Sequence, residues 1–150
     1  MRIKLQRQLP LVAFILASFA FGSPATAGEC PGHPDAIGTS RTIVVDPREH
    51  GWIGTMSYPE TLPLLDKEVV LTFDDGPLPP YTSKILDILK SECIHATFFI
   101  VGSMAKAYPA LVRRAYDEGH TIGTHSMSHP LSFRKLGFEQ AKAQIDDGIA

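Results

Sequence analysis

Residues 68–77 read EVVLTFDDGP, and this stretch decides the fold class. Its first part, Val69–Phe73, is a continuous apolar and β-branched run, which is typical of a strand buried on both faces of a parallel sheet. The strand is followed at once by Asp74 and Asp75 and by a loop rich in Gly and Pro that extends to Pro80. The sequence therefore predicts a buried strand followed directly by an acidic loop.

The pattern of strand, loop and helix then repeats along the chain. The elements predicted after the first strand are a helix over 82–92, a strand over 96–101, a helix from Pro109, a strand over 120–124 and a helix over 138–149. Pro109 favours a helix start, and Gly119 is placed to stop that helix. This alternation predicts an α/β fold with a parallel sheet.

Apolar spacing predicts the buried side of each helix. The expected stripes are Ile85, Ile88 and Leu89 in the first helix, which Thr82 or Ser83 would cap, Leu111, Val112 and Ala115 in the second, and Ala141, Ile145 and Ile149 in the last. In parallel α/β folds the working groups lie on loops after the carboxyl ends of the strands. Asp74 and Asp75 follow the first strand and His125 follows the third, so both motifs are expected at one edge of the sheet.

Asp74 and Asp75 allow two interpretations. Adjacent carboxylates repel each other, and a divalent cation would supply the counter-charge that holds them together at the end of a strand. The alternative is an ordinary Asp-Asp-Gly-Pro turn, because these residue types are common in turns. Taken alone, the pair favours the turn.

His125 and His129 are separated by four residues, a spacing that on a helix would direct both imidazoles to one cation. Pro130 disfavours helical geometry at His129, so a compact loop would have to bring the two rings together. Two exposed or hydrogen-bonded histidines are the alternative. Combined with a carboxylate, however, the pair forms the ligand set of a catalytic divalent metal, and the spare carboxylate becomes a candidate general base.

These motifs resemble those of the NodB-homology polysaccharide deacetylases, carbohydrate esterase family 4, which include chitooligosaccharide and peptidoglycan deacetylases. The resemblance runs from about Glu68 to Ala150. It rests on TFDDGP at 72–77, ATFF at 96–99 with Gly102 soon after, EGHTIG at 118–123 and HSMSHP at 125–130. The first and last motifs are highly specific when they occur in this order and at this separation.

The resemblance implies a distorted (β/α) barrel and a hydrolase that removes acetyl groups from N-acetylated sugars. By position, Asp74 is implied to be the general base, Asp75, His125 and His129 the metal ligands, and Ser126 a hydrogen-bonding support for the histidine loop. The implied metal is zinc, or cobalt or another divalent ion. It would polarise the acetyl carbonyl and a water molecule, whose proton Asp74 would accept.

The chain departs from the family pattern after Ala150, where the family's oxyanion-donor, base-supporting and general-acid motifs would follow. We therefore expect an incomplete barrel, truncated at its C-terminal side. His33, His50, His95 and His120 are poor candidates for the missing acid, since they lie in the preceding segment or beside strand starts. Two alternatives remain: an acetylxylan-type O-deacetylase, and a truncated fragment that binds metal or glycan without turnover.

The first 27 residues have the pattern of a signal peptide. Arg2, Lys4 and Arg7 precede an apolar run over 9–21, and Ala25–Ala27 fits a cleavage site. The run falls short of the ~20 residues that span a bilayer, so cleavage is favoured over a membrane anchor. The predicted organisation is a signal peptide (1–27), an irregular lead-in (28–67) and the deacetylase domain (68–150), exported to the periplasm or the extracellular space.

The lead-in segment is rich in Pro and Gly, and only Arg41–Val45 is typical of a strand. The two cysteines, Cys30 and Cys93, would lie in an oxidising compartment after export, so they could form a disulfide, but the sequence leaves their pairing open. The formal net charge of −2 lacks the basic excess of nucleic-acid binders. The expected partner is a carbohydrate, with no nucleic acid and no stable membrane span.

Overall fold

The computed structural model describes residues 30–54 and 56–150, which form a parallel α/β unit. Its strands are β1 (Thr72–Asp74), β2 (Thr97–Ile100) and β3 (Thr121–Thr124). They lie in the order β1-β2-β3 and all pairings are parallel, with Phe73 opposite Phe98 and Phe98 opposite Ile122. The predicted α/β class and the parallel sheet are thus confirmed. The predicted signal peptide lies outside the described residues.

Four α-helices connect or follow these strands. They are α1 (Tyr81–Ser91), α2 (Gly102–Ala107), α3 (Pro109–Asp117) and α4 (Phe138–Ile149), and a 3-10 turn (Phe133–Lys135) precedes α4. The predicted limits of α4 are confirmed, as is the start of α3 at Pro109. Gly119 has φ +86, the left-handed conformation that glycine favours after a helix end. The sequence did not predict α2.

The core lies between the helices and one face of the sheet. Its buried residues are Leu86 and Leu89 of α1, Ala96, Phe98 and Ile100 in and beside β2, and Ala115 of α3. Phe98 and Ile100 alternate with less buried residues, so the central strand buries only one of its faces fully. Removing these apolar side chains from water stabilises the packing of the helices on the sheet.

The prediction of a first strand buried on both faces was wrong. The strand covers only Thr72–Asp74, and Val69, Val70 and Leu71 are 86%, 48% and 39% exposed. The reason is that β1 is the edge of the described sheet and the described helices pack on one face of it. The predicted stripe of α1 was also partly wrong, because Leu86 is fully buried whereas Ile88 is exposed and Thr82 lies within the helix rather than capping it.

The segment before β1 is irregular, apart from an isolated bridge between Ile53 and Glu60. The predicted strand at Arg41–Val45 is not formed, because no described segment pairs with it. Arg41 instead donates two hydrogen bonds to Glu68 at 2.8 and 2.6 Å. Together with the N–H of Leu65, these bonds lower the pKa of Glu68 to about 2. No helix of the described residues is long and apolar enough to cross a membrane.

Cys30 and Cys93 form a disulfide, with their Cα atoms 5.7 Å apart. The backbone around this bond is also tied to the domain: the N–H of Gly38 donates to the carbonyl of Glu92, and the N–H of His95 donates to the hydroxyl of Thr39. The lead-in is therefore fastened to the connection between α1 and β2. This connection is at the amino end of β2, away from the edge where Asp75 and His125 lie.

His120, next to the start of β3, is a buried histidine whose pKa is lowered by its surroundings in the core. It is 5% exposed; its Nδ1 accepts the N–H of Ala96, and its ring packs edge-on against Phe98. Burial, reinforced by the charge of His95, lowers the pKa of His120 below its ordinary value of 6.5. A proton must therefore be taken up less readily in the folded chain than in the unfolded one.

We expect the free energy of unfolding to fall as the pH is lowered from about 7 through 6.5, and to level off below the folded pKa of His120. The unfolded chain binds the proton first, so it is the unfolded state that acid favours. In His120→Asn, which keeps an acceptor for Ala96 but does not titrate, this part of the pH dependence should disappear. Urea unfolding of metal-free protein between pH 5 and 7.5 measures it, with the exposed His33→Asn as control. If the free energy of unfolding changed equally with pH in wild type and in His120→Asn, the lowered pKa assigned to His120 would be contradicted.

Candidate metal centre

Three side chains converge at the carboxyl edge of the sheet. Asp75 follows β1, and His125 and His129 lie in the loop after β3, so the two outer strands supply the group across β2. One ligand atom of each residue lies within 4.8 Å of the others. The Nε2 atoms of both histidines are 3.4 Å from Oδ1 of Asp75, and the two rings stack with centroids 5.0 Å apart.

These separations fit a metal better than a direct hydrogen bond. An N–H···O bond has a nitrogen-to-oxygen distance of about 2.7–3.2 Å, which is shorter than the 3.4 Å found at both histidines. Zinc binds nitrogen and oxygen at about 2.0–2.2 Å, which places neighbouring ligand atoms roughly 3.0–3.5 Å apart at angles between octahedral and tetrahedral. One carboxylate and two imidazoles with open positions are also a common ligand set of catalytic divalent metals.

The backbone at this group is held in an uncommon conformation. Asp75, Ser126 and His129 have φ of 68°, 62° and 49°, the left-handed region that non-glycine residues occupy infrequently. Such conformations cost about 1–3 kcal/mol each and persist where the surroundings impose them, often at functional sites. Here the neighbouring contacts impose them, and the result directs three side chains to one point.

The histidine loop is fixed by hydrogen bonds on several sides. The N–H of His125 donates to the carbonyl of Ile100 at 2.8 Å, and the N–H of His129 donates to Oγ of Ser126 at 3.1 Å. The first N–H groups of α2, those of Gly102 and Ser103, donate to the carbonyls of Ser126 and Met127. Neither histidine lies in a helix, as expected with Pro130 next to His129.

Asp74 occupies the last position of β1, paired with Phe99, and its side chain is exposed. It is not one of the three grouped ligand residues. The two adjacent carboxylates thus differ in position: Asp75 faces the histidines, and Asp74 lies one residue earlier on the strand. Among the described residues, no ion pair involves Asp74.

An open pocket of about 310 Å³ adjoins the two histidines. Its walls are Thr124, His125, Ser126, His129, Pro130, Phe133 and Ile145. The Phe99 ring lies beside His125, with centroids 6.5 Å apart, and it fits there because Gly123 has no side chain: a Cβ on Gly123 would lie 2.7 Å from that ring. The pocket has both polar and apolar walls.

Residues of α2 and α4, outside the TFDDGP and HSMSHP motifs, also build the site, and of these only Gly102 was among the residues that carried the resemblance seen in the sequence. Gln144 and Gly148 of α4 contact the histidine loop, and Gly102 of α2 lies against Met127. A glycine inside a helical pattern, such as Gly148, is a sign of a close packing contact. His95 and His120 lie just before β2 and β3, at the opposite end of the strands from this site.

The fold and the site define a parallel α/β unit with a candidate hydrolytic metal centre at its carboxyl edge. Residues 61–149 match the family model described as polysaccharide deacetylase, and the chain belongs to that family. The resemblance found in the sequence is thus confirmed.

Named relatives and solved structures agree with this family. The chain is 43% identical to the peptidoglycan-N-acetylglucosamine deacetylase of Bacillus cereus over 94 residues, 63% of this chain and 34% of the relative. It is 49% identical to a chitooligosaccharide deacetylase of Rhizobium leguminosarum bv. trifolii over 65 residues, 43% of this chain and 30% of the relative. The structure of peptidoglycan deacetylase PdaC from Bacillus subtilis matches with a TM-score of 0.51 and 48% identity, covering 53% of this chain and 39% of that one. The chain spans about a third of the length of these curated relatives.

Proposed function

We propose that this protein is a metal-dependent hydrolase that removes acetyl groups from N-acetylated poly- or oligosaccharides of the peptidoglycan or chitooligosaccharide kind. The observation that carries the proposal is the convergence of Asp75, His125 and His129 within 4.8 Å in a member of the polysaccharide deacetylase family. Relatives named for both kinds of substrate match 94 and 65 residues of this chain. The proposed domain covers 68–150, after the lead-in of 28–67, and the family's distorted (β/α) barrel is its proposed architecture.

Asp75, His125 and His129 would hold the divalent ion, for which we propose zinc. When bound, the ion supplies Lewis-acid polarisation of the acetyl carbonyl and of the attacking water. Asp74, exposed beside the ligands, would accept the proton of that water, and Ser126 would keep His129 in place through the hydrogen bond to its N–H. These residues account for binding the metal and for the base. The proton for the leaving amine is not assigned to any described residue.

We also propose that the protein is exported and works in the periplasm or outside the cell. The Cys30–Cys93 disulfide supports this location, since disulfides persist in oxidising compartments. The amino-terminal pattern and relatives named for peptidoglycan support it as well.

Acetate release tests the proposed function. Chitooligosaccharides, peptidoglycan and acetylxylan should be incubated with zinc-loaded protein, and acetate measured with and without a chelator. We expect release from an N-acetyl substrate that the chelator suppresses and added zinc restores. Release from acetylxylan alone would replace the N-deacetylase assignment with O-deacetylation. Stoichiometric zinc binding without acetate from any of the three would favour a metal-binding role without turnover.

A further inference from the structure

The last helix packs inward with a polar face. The predicted apolar stripe of α4 was wrong in part, because Ile145 and Ile149 are 49% and 67% exposed. The partly buried residues are Ala141, Gln144 and Gly148, which share one side of the helix at spacings of three and four. None of the α4 residues is fully buried. The inward face of this helix is therefore too small and too polar to be explained by apolar packing.

Gln144 uses that face to bind the histidine loop. Its backbone carbonyl accepts the N–H of Met127 at 2.7 Å. Its side-chain Oε1 accepts the N–H of Ser128 at 2.9 Å and the hydroxyl of Ser128 at 3.1 Å. Met127 and Ser128 are two of the three residues between the proposed ligands, so a single helix residue binds the segment that joins them.

Two glycines allow this close approach. A Cβ on Gly148 would lie 2.9 Å from the carbonyl carbon of Ser126 and 3.1 Å from the nitrogen of Met127. A Cβ on Gly102 would lie 2.7 Å from Sδ of Met127 and 3.3 Å from the Cα of Gly148. Separations below 3.0 Å are not tolerated without movement of one partner. The loop is therefore enclosed between α2 and α4, backbone against backbone.

The remaining contacts of the loop do not replace those from Gln144. The N–H of His125 donates to Ile100, and the N–H of His129 donates to Ser126. The bonds from α2 end on the carbonyls of Ser126 and Met127, so they do not supply an acceptor for the N–H groups of this segment. The N–H groups of Met127 and Ser128 have Gln144 as their partner among the described residues. Two left-handed residues, Ser126 and His129, flank this segment, so releasing it would let both histidines move.

We propose that Gln144 is a positioning residue for the metal centre, holding the His125–His129 loop in the conformation that binds the ion. The proposal rests on the metal site of the proposed function and adds to it a residue outside the TFDDGP and HSMSHP motifs. Gln144 is not one of the three grouped ligand residues. It acts through Met127 and Ser128.

The test compares two isosteric changes on one helix. Gln144→Met keeps the side-chain length and the helix propensity but removes the acceptor for Ser128. We expect zinc affinity to fall about tenfold or more, within the 10–100-fold range typical for residues that orient metal ligands. The visible absorption of the Co²⁺-loaded protein should change as well. Gln140→Met is the matched control, because Gln140 is exposed and its side chain accepts the N–H of Gly137, at the start of the same helix. It should leave both readouts unchanged.

Further variants separate positioning from general stability. Gln144→Glu retains an acceptor oxygen and should restore the Co²⁺ spectrum of the wild type. Gly148→Ala should weaken zinc binding although alanine favours a helix more than glycine does, since its Cβ would displace the loop. The proposal is overturned if Gln144→Met folds and binds zinc with the affinity of the wild type. If Gln144→Met does not fold, wild-type zinc affinity in Gly148→Ala overturns it instead. It is also overturned if Gln140→Met weakens zinc binding as much as Gln144→Met does. A wild-type chain that binds no metal would instead overturn the metal site itself.

Discussion

Asp74→Asn is expected to lower kcat for acetate release by about 10²–10⁴-fold, the range typical for loss of a general base, while zinc affinity stays at its wild-type value. Asparagine has the size of aspartate but cannot accept the proton of water at neutral pH. The metal should remain because Asp75, not Asp74, is the carboxylate grouped with the histidines. Acetate kinetics and zinc titration on the same preparation measure the two quantities.

Two further variants make that prediction specific. Asp66→Asn, an exposed change of the same kind in the lead-in, should alter neither kcat nor zinc affinity. Asp75→Asn should weaken zinc binding and lose turnover with it. If Asp74→Asn lost the metal and Asp75→Asn kept it, the roles assigned to the two carboxylates would have to be exchanged.

The order of the elements could be predicted because each rests on a local pattern. The apolar run of β2 and the Pro109 and Gly119 limits of α3 are visible in a few adjacent residues. The six-residue helix α2 is too short for a hydrophobic period, and its Gly102-Ser103 start has the composition of a turn. The Cys30–Cys93 disulfide could not be predicted, since it joins residues separated by 63 positions.

The convergence of the candidate ligands could also be predicted from strand order. Parallel strands present their carboxyl ends at one edge, so residues after β1 and β3 had to lie near each other across β2. The hydrogen bonds by which Gln144 holds the histidine loop could not be predicted, because they depend on α4 folding back against the loop that precedes it. The apolar residues of α4 indicated a different face, and the contact itself is made by a polar side chain and by glycine. Sequence periodicity carries information about burial but little about such backbone contacts.

His125→Ala and His129→Ala are each expected to weaken zinc binding by more than about 100-fold, and with it to remove turnover. Residues that only orient metal ligands typically contribute 10–100-fold, so removal of a ligand should exceed that range. Each ring supplies an Nε2 atom 3.4 Å from the Asp75 carboxylate, and two remaining ligands would leave the ion largely to water. Zinc titration and metal analysis after dialysis measure the loss.

The size of the effect distinguishes ligands from supports. His33→Ala, at an exposed position, should bind zinc with wild-type affinity. The zinc affinity of Gln144→Met should lie between that of His33→Ala and those of the two ligand variants. If His129→Ala kept stoichiometric zinc while His125→Ala lost it, His129 would be a neighbour of the site and not a ligand. The stacking of the His129 ring on His125 beside the Asp75 carboxylate would then reflect packing of the loop and not metal binding. The graded series therefore tests the ligand set and the loop that presents it in one set of titrations.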